Sequence, residues 1–144
     1  MQLRIRNSTA DDVPAIHAIY AHAVQHGVAS FELEAPDQAE MARRRAAVLA
    51  GGFPHIVAED AGRVLGYAYA GPYRPRPAYR FTVENSIYVA PDAQRRGIGR
   101  VLLPALTCTV SSSCTTPSRM RPASGFCRLR WITRFSGRAP YTGS

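Results

Sequence analysis

The sequence contains no lysine, only three cysteines and no long apolar run, and each absence excludes a class of protein. Without lysine there can be no phosphate-binding loop of the Gly-Lys-Ser/Thr kind. Three cysteines cannot all pair and their spacing matches no zinc-binding pattern, so we expect reduced thiols and no metal site. No apolar stretch approaches the roughly 20 residues of a membrane span, and the N-terminal residues lack a signal-peptide core. A cytoplasmic location without membrane attachment is the default expectation.

Acidic residues are absent from the last quarter of the chain, although the formal charge of the 144 residues is +8. Residues 1–106 contain 12 arginines and all 10 acidic residues, whereas residues 107–144 contain six arginines and 13 serines and threonines. No helical or strand period persists through that last quarter. We predict one folded unit over 1–106 and an atypical basic Ser/Thr/Arg-rich tail over 107–144, which we hypothesise to be out of frame. Basic charge alone supports only unspecific nucleic-acid binding, so no specific nucleic-acid partner is expected.

The first three quarters carry strand and helix signals in a clear order. They predict a strand at 3–6, a helix from Ser8 or Thr9 to Gly27, a helix from Asp37 to Gly51, strands at 55–60 and 64–71, a Pro/Arg-rich loop at 72–77, a strand at 80–89 and a helix from about Gly97. This order indicates an α/β fold with a mixed sheet. Pro104 falls inside the expected last helix, where proline removes a hydrogen bond and clashes with the preceding turn at a cost of about 3 kcal/mol.

The most distinctive local feature is the segment Val89–Arg100, which joins an apolar strand to an apolar run. A turn of this kind directs successive backbone N–H groups towards one point at a helix N-terminus, which favours anions. Gly97 and Gly99 permit a phosphate to approach bare backbone, and three arginines add positive charge: Arg95, Arg96 and Arg100. We expect a pyrophosphate site, the alternative being an ordinary helix-start turn with solvated arginines. A dinucleotide-binding fingerprint does not fit, because Leu102 stands where its third glycine would be.

The pattern Val-x-Pro-x-x-Gln-Arg-x-Gly-x-Gly, from Val89 to Gly99, resembles the acetyl-CoA pyrophosphate loop of the GNAT N-acetyltransferases. The segments Ala29–Glu32, Gly71–Arg76 and Tyr79–Val89 are similar to segments of the phosphinothricin and methionine-sulfone acetyltransferases in that family. The resemblance covers about residues 1–103 and then ends. It implies a mixed, mostly antiparallel sheet flanked by helices, with its C-terminal part incomplete and the strand beside the loop's strand missing. Such a sheet exposes an edge, from which we expect a homodimer.

The resemblance implies direct attack of an amine on the thioester of acetyl-CoA, the co-substrate. It makes Glu84 the candidate general base, acting through water, and the backbone N–H of Val89 the candidate oxyanion donor. It implies that the strand edge at Ile87, Tyr88 and Val89 pairs with the pantetheine amides. The pyrophosphate would contact the residues of the turn and helix start: Arg95, Arg96, Gly97, Ile98, Gly99 and Arg100. For Glu84 the alternative is a solvated or arginine-paired strand carboxylate.

On the acceptor side, the resemblance implies that Phe31 and Glu32 enclose an amino acid. Arg74 and Arg76 flank Pro75, and a guanidinium fork suits a carboxylate or phosphinate. The alternatives are simple packing for Phe31 and a solvated basic loop for the two arginines. The histidines have no partner spacing and are assigned no role: His17, His22, His26 and His55.

Two functions are open at this point. One is an acetyl-CoA-dependent N-acetyltransferase that acts on the amine of a small amino acid or an analogue such as phosphinothricin or methionine sulfone. The alternative is a truncated, inactive remnant that binds nucleic acid unspecifically through its basic tail. Turnover of acetyl-CoA with an amino-acid acceptor distinguishes the two.

Overall fold

A computed structural model describes residues 1–26, 32–79, 82–112 and 130–136. In chain order its helices and strands are β1 (Arg4–Asn7), α1 (Val13–His26), α2 (Gln38–Ala50), β2 (His55–Asp60), β3 (Arg63–Pro72), β4 (Thr82–Val89), α3 (Ile98–Ser112) and β5 (Arg130–Ser136). The order predicted from the sequence is confirmed as far as α3. Within the described ranges no helix is both long and apolar enough to cross a membrane.

The strands that the structure describes form one sheet in the order β1-β2-β3-β4-β5. The first four pair antiparallel, and β5 pairs parallel to β4. A parallel pair requires a long crossover between its strands, and α3 belongs to that crossover. The predicted mixed, mostly antiparallel sheet flanked by helices is therefore confirmed.

The two faces of the sheet carry different helices. The ring of Tyr88 in β4 meets Tyr20 of α1 edge to face, with ring centroids 5.2 Å apart. Even-numbered side chains of β4 therefore face α1, since alternate residues of a strand point to opposite faces. On the other face α3 crosses β3 at Gly66, where an added Cβ would lie 2.8 Å from the carbonyl oxygen of Tyr88 and 3.2 Å from Cγ2 of Ile98. Only glycine permits so close an approach.

The start of α1 is fixed by the Asp12 carboxylate, which contacts both the helix start and β1. A single 3₁₀ turn, Ala10–Asp12, precedes the helix. The Asp12 carboxylate accepts a hydrogen bond of 2.7 Å from the backbone N–H of Thr9, which satisfies a donor left unpaired at the helix start. The same carboxylate pairs with Arg6. The predicted N-terminal signal is confirmed, and it also ties β1 to α1.

Turn chemistry accounts for two further boundaries. Asp37 begins α2 by accepting a hydrogen bond of 2.7 Å from the N–H of Glu40, as its cap signature predicts. The hairpin between β2 and β3 turns at Ala61 and Gly62, with φ angles of 47° and 79°. Two successive positive φ angles are typical of the tight turns that match the twist of the flanking strands.

The helix α3 continues through Pro104 to Ser112, so the proline lies inside the helix, as the sequence indicated. Pro104 lacks the N–H that would bond the carbonyl of Arg100, which costs about 3 kcal/mol. The helix nevertheless buries Leu102 and Leu106 completely, and each buried leucine contributes about 1.5–3 kcal/mol. Burial on both sides of the proline offsets its cost. The predicted boundary after residue 106 falls inside this helix.

The strand β5 lies within the predicted tail and pairs along the edge of β4, where the resemblance implied that a strand is missing. Its register with β4 runs from Thr82↔Arg130 to Tyr88↔Ser136. The edge of β4 presents a row of N–H and C=O groups, and a paired strand satisfies them whatever the sequence period of that strand. The segment 130–136 also contains Trp, Ile, Thr and Phe, residue types enriched in strands. This composition is the feature of the sequence that indicates a strand at 130–136.

Candidate active site

The edge of β4 that carries the candidate oxyanion donor can be identified from two hydrogen bonds to the β3 side. The N–H of Ala90 bonds the carbonyl of Leu65 at 2.8 Å, and the N–H of Tyr73 bonds the carbonyl of Thr82 at 3.2 Å. Even-numbered backbone groups of β4 therefore face β3. Odd-numbered ones face the opposite edge, because the direction alternates along an antiparallel strand. The N–H groups of Ile87 and Val89 thus lie on the edge that β5 follows.

The strand β5 follows this edge nearly to its end. Ile87 is in register with Phe135 and Tyr88 with Ser136, whereas Val89 lies one residue beyond the last register pair. A pantetheine chain can pair with Ile87 only where β5 separates from β4. The structure therefore makes access to most of the predicted cofactor edge depend on β5.

The predicted pyrophosphate turn lies at the end of β4 and leads directly into α3. Gln94–Gly97 form the turn, and the helix begins at Ile98. Arg95 and Gly97 have positive φ angles of 63° and 82°. Positive φ angles reverse the course of the backbone, and turns of this kind can direct N–H groups towards an anion. The two positive φ angles lie next to the N-terminus of α3, where the pyrophosphate site is predicted.

The charges around this turn favour an anion. The side chains of Arg95, Arg96 and Arg100 are exposed, and the first turn of α3 contains no carboxylate. The nearest carboxylate in the loop, Asp92, is bonded to Arg63 at 2.6 Å. That hydrogen bond lowers the pKa of Asp92, so the carboxylate stays ionised and paired. The positive end of the helix dipole and three guanidinium groups are left to attract a ligand.

Glu84, the candidate base, lies on the α1 face of β4 and is half-buried. Its register partner is Gly71 in β3, which places it at the sheet end from which the Pro/Arg-rich loop leaves. Val89 is five residues further along the strand, about 16 Å away at the rise of an extended chain. The structure does not bring Glu84 and the Val89 N–H together. Ile87 is three residues away, about 10 Å.

Arg74 and Arg76 lie in the loop that leaves β3 at the Glu84 end of the sheet. Both are exposed. The guanidinium carbon of Arg74 lies 5.2 Å from the centroid of the Tyr73 ring, within the range of a cation–π contact. Tyr73 in turn meets Tyr79 edge to face at 5.3 Å. Two aromatic rings thus orient one of the two candidate anion-binding arginines.

Glu32 is held by two side chains that the sequence does not point to. Tyr20 Oη donates to Glu32 Oε2 at 3.1 Å, and an Arg44 guanidinium nitrogen lies 2.8 Å from Glu32 Oε1. Each partner is 12 residues away in sequence, so no local spacing indicates the contact. Phe31, the other predicted acceptor residue, lies outside the described residues.

The four histidines have contacts of their own, apart from those of Glu32. A ring nitrogen of His17 contacts the carbonyl of Pro36 at 2.9 Å, and His22 stacks on His26 with centroids 4.4 Å apart. His55 is buried, and burial lowers its pKa to about 4. In the part of the chain that the structure describes, no group of three His, Cys, Asp or Glu side chains is placed to hold a metal ion.

Comparison with known proteins identifies the family. The model of the acetyltransferase (GNAT) family matches residues 16–107. The chain therefore belongs to the GNAT acetyltransferases, as the resemblance at Val89–Gly99 implied. The match extends four residues beyond the point at which that resemblance ended, consistent with a helix that continues past Pro104.

Two relatives show which members of the family the chain is similar to. The chain is 61% identical over 93 residues to the phosphinothricin N-acetyltransferase of Alcaligenes faecalis, a match covering 65% of this chain and 47% of the relative. It is 43% identical over 110 residues to the L-methionine sulfoximine/L-methionine sulfone acetyltransferase of Pseudomonas paraeruginosa, covering 74% of this chain and 62% of that one. The chain thus spans between about half and two thirds of the length of these relatives.

The fold of the chain is also similar to that of a solved structure. The phosphinothricin acetyltransferase of Sinorhizobium meliloti in complex with acetyl-CoA superposes with a TM-score of 0.74 at 43% identity. The superposition covers 78% of this chain and 61% of that protein. The shared fold therefore includes most of the present chain.

Proposed function

We propose that this chain catalyses transfer of an acetyl group from acetyl-CoA to the amine of a small amino acid or analogue, such as phosphinothricin or methionine sulfone. The observation that carries the proposal is the left-handed turn at Gly97, which opens onto the N-terminus of α3 beside the end of β4. The turn presents backbone donors to the pyrophosphate of acetyl-CoA. Family membership and the names of the relatives support the reaction type.

The thioester of acetyl-CoA would lie along the β5-facing edge of β4. A backbone N–H on this edge is a preorganised donor for the oxygen that becomes negative when the amine attacks. Val89 supplies such an N–H beyond the end of the β5 register, but about 16 Å of strand separates it from Glu84. Ile87, about 10 Å from Glu84, fits a shorter proton path and requires the end of β5 to separate from β4. The distance therefore favours Ile87 over Val89 as the donor.

Glu84 would act as the general base through water. The acceptor amine arrives protonated and must lose a proton before its lone pair attacks the thioester carbon. One proton passes to the Glu84 carboxylate and the new C–N bond forms. The tetrahedral intermediate then breaks its C–S bond, and the second proton of the nitrogen passes through water to the departing thiolate, which gives the neutral amide and the CoA thiol. A base placed in this way typically contributes a factor of about 10² to 10⁴ to the rate.

The acceptor would bind between the segment that begins at Glu32 and the loop that carries Arg74. A guanidinium group pairs with a carboxylate or phosphinate in two parallel hydrogen bonds. Arg74 and Arg76 are exposed at the same end of the sheet as Glu84. An acceptor whose acidic groups bind these arginines would bring its amine towards Glu84.

Acetyl transfer to a panel of amines tests the proposal. The panel contains phosphinothricin, methionine sulfone, methionine and an amine without a carboxylate, each mixed with acetyl-CoA and the full chain. We expect N-acetylated phosphinothricin or methionine sulfone by mass spectrometry, and no product from the amine that lacks a carboxylate. The Arg74→Gln variant should raise the KM for phosphinothricin more than the KM for acetyl-CoA. Absence of any N-acetyl product would overturn the proposal.

The remaining expectations stay predictions. The expected homodimer is tested by the mass of the chain in solution, and the cytoplasmic location by fractionation of cells. No observation on the described residues favours the alternative of an inactive, nucleic-acid-binding remnant, and the acetyltransferase relatives do not support it.

A further inference from the structure

We propose that Tyr20 and Arg44 are positioning residues that hold the Glu32 carboxylate in the acceptor pocket, and we call Tyr20, Glu32 and Arg44 the Glu32 network. The inference rests on the proposed function, in which Glu32 borders the acceptor. Neither Tyr20 nor Arg44 belongs to the motifs that carry the family resemblance. Their role follows from contacts between three different parts of the fold.

The two oxygens of the carboxylate have different partners. Oε2 accepts from the Tyr20 hydroxyl on α1 at 3.1 Å, and Oε1 lies 2.8 Å from the Arg44 guanidinium on α2. A carboxylate bound at both oxygens by groups on two helices has little freedom to rotate. Glu32 is thereby joined to both α1 and α2.

Both partners are themselves held. Arg44 Nε bonds Glu40 Oε1 at 2.9 Å on the same face of α2, so the guanidinium spans two carboxylates. The ring of Tyr20 packs edge to face on Tyr88, the residue before Val89 in β4. The Glu32 network therefore connects Glu32, through Tyr20, with β4, the strand along which the thioester would lie.

The solvent exposure of the Arg44–Glu32 ion pair indicates which property its removal should change. The side chains of Arg44 and Glu32 are 42% and 35% exposed. Ion pairs this accessible contribute little to global stability because water screens them. A change in acceptor binding is therefore expected without a comparable change in the folding of the chain.

The chain provides a matched control on the same helix. Arg43 also bonds Glu40, with a guanidinium nitrogen 2.9 Å from Oε2, and within the described part of the chain it forms no hydrogen bond or ion pair with Glu32. Arg43→Gln and Arg44→Gln remove the same charge from adjacent positions. Only the second variant removes a partner of Glu32.

Steady-state kinetics of the full chain with phosphinothricin and acetyl-CoA test the role in acceptor binding. Tyr20→Phe and Arg44→Gln should each raise the KM for phosphinothricin up to about fivefold, the upper end of the range for one charge-assisted bond at a partly exposed site. The KM for acetyl-CoA and kcat should change less than about twofold, and Arg43→Gln should leave all three unchanged. Arg44→Lys, which keeps the charge, should recover most of the loss. In a Glu32→Ala background neither substitution should raise the KM further.

Hydrogen exchange at the amides of residues 32–35 separates failure of this inference from failure of the proposed function. Tyr20→Phe and Arg44→Gln should speed exchange there about fivefold, and Arg43→Gln should not. A wild-type chain that acetylates no amine overturns the proposed function, and exchange then decides whether Tyr20 and Arg44 hold the segment. Unchanged exchange, an unchanged phosphinothricin KM in an active enzyme, or equal effects of Arg43→Gln and Arg44→Gln each overturn the inference.

Discussion

The guanidinium of Arg6 and the carboxylate of Asp12 form a two-pronged pair, with N–H···O distances of 2.7 and 2.8 Å. The Asp12 side chain is only 7% exposed, so water screens the pair weakly. The hydrogen bond from Arg6 lowers the pKa of Asp12 from 3.8 to about 2. The pair joins β1 to α1 and makes the stability of that junction depend on pH.

Acid should weaken this junction within a defined window. A carboxylate whose pKa is lowered by folding stabilises the native state above its unfolded pKa and loses that contribution as pH falls through the folded value. For Asp12 this contribution is about 2 kcal/mol above pH 4 and disappears towards pH 2. Thermal unfolding of wild type and Asp12→Asn should show a stability difference that shrinks over this interval. A difference of the same size at pH 5 and pH 2 would contradict it.

We expect His55 to cause a second loss of stability in acid, at a pH above the one at which the Asp12 contribution is lost. Burial lowers its pKa from 6.5 to about 4, so the unfolded chain binds a proton there before the folded chain does. Stability should therefore fall as pH drops from about 6.5 to 4, by up to about 3 kcal/mol.

The variant His55→Phe should flatten the unfolding free energy over that interval. The ring stacks on Tyr69 at 5.5 Å, and its Nδ1 has no hydrogen-bond partner among the residues that the structure describes. Phenylalanine therefore keeps the stacking and leaves no polar group unpaired. An equally steep decline in the variant would show that other groups cause it.

Replacing Gly97 should affect both stability and acetyl-CoA binding. Its φ of 82° makes a Cβ unfavourable by about 1 kcal/mol, and the added methyl group also obstructs the approach of a phosphate to the backbone. We expect Gly97→Ala to lower the unfolding free energy and to weaken acetyl-CoA binding in calorimetry.

Gly52 provides the control for this substitution. It has a similar φ of 78°, nothing lies within 4 Å of its added Cβ, and it lies after α2, away from the turn. Gly52→Ala should cost similar stability and leave acetyl-CoA affinity unchanged. Equal affinities of the two variants would show that the turn at Gly97 does not contact the ligand.

Removing the Glu84 carboxylate should slow the reaction with little effect on binding. Glu84→Gln keeps the size of the side chain and removes its capacity to take a proton, so kcat should fall about a hundredfold or more. The corresponding change of a carboxylate to an amide at the exposed Asp11, in the turn before α1, should leave kcat unaltered. Release of the CoA thiol measures both rates, and a Glu84→Gln enzyme as fast as wild type would exclude this residue as the base.

Signals that lie close together in the sequence predicted most of the fold. Asp37 caps α2 through a contact three residues away, and the turn before α3 follows from the glycine and arginine pattern at 94–100. The contacts of Glu32 with Tyr20 and Arg44 form only when separate helices pack, so no spacing indicates them. The penalty of Pro104 is local and can be predicted from the sequence, whereas the burial of Leu102 and Leu106 that offsets it depends on the whole sheet.

The measurement that tests the central claim most directly is thermal unfolding of the full chain with and without acetyl-CoA. Ligand at about 100 times its dissociation constant adds about 2.7 kcal/mol to the stability of the form that binds it. The account predicts a single cooperative transition that shifts upward with acetyl-CoA, in wild type and Gly52→Ala but much less in Gly97→Ala. A cooperative transition at the same temperature with and without acetyl-CoA would contradict the assignment of the turn as its binding site.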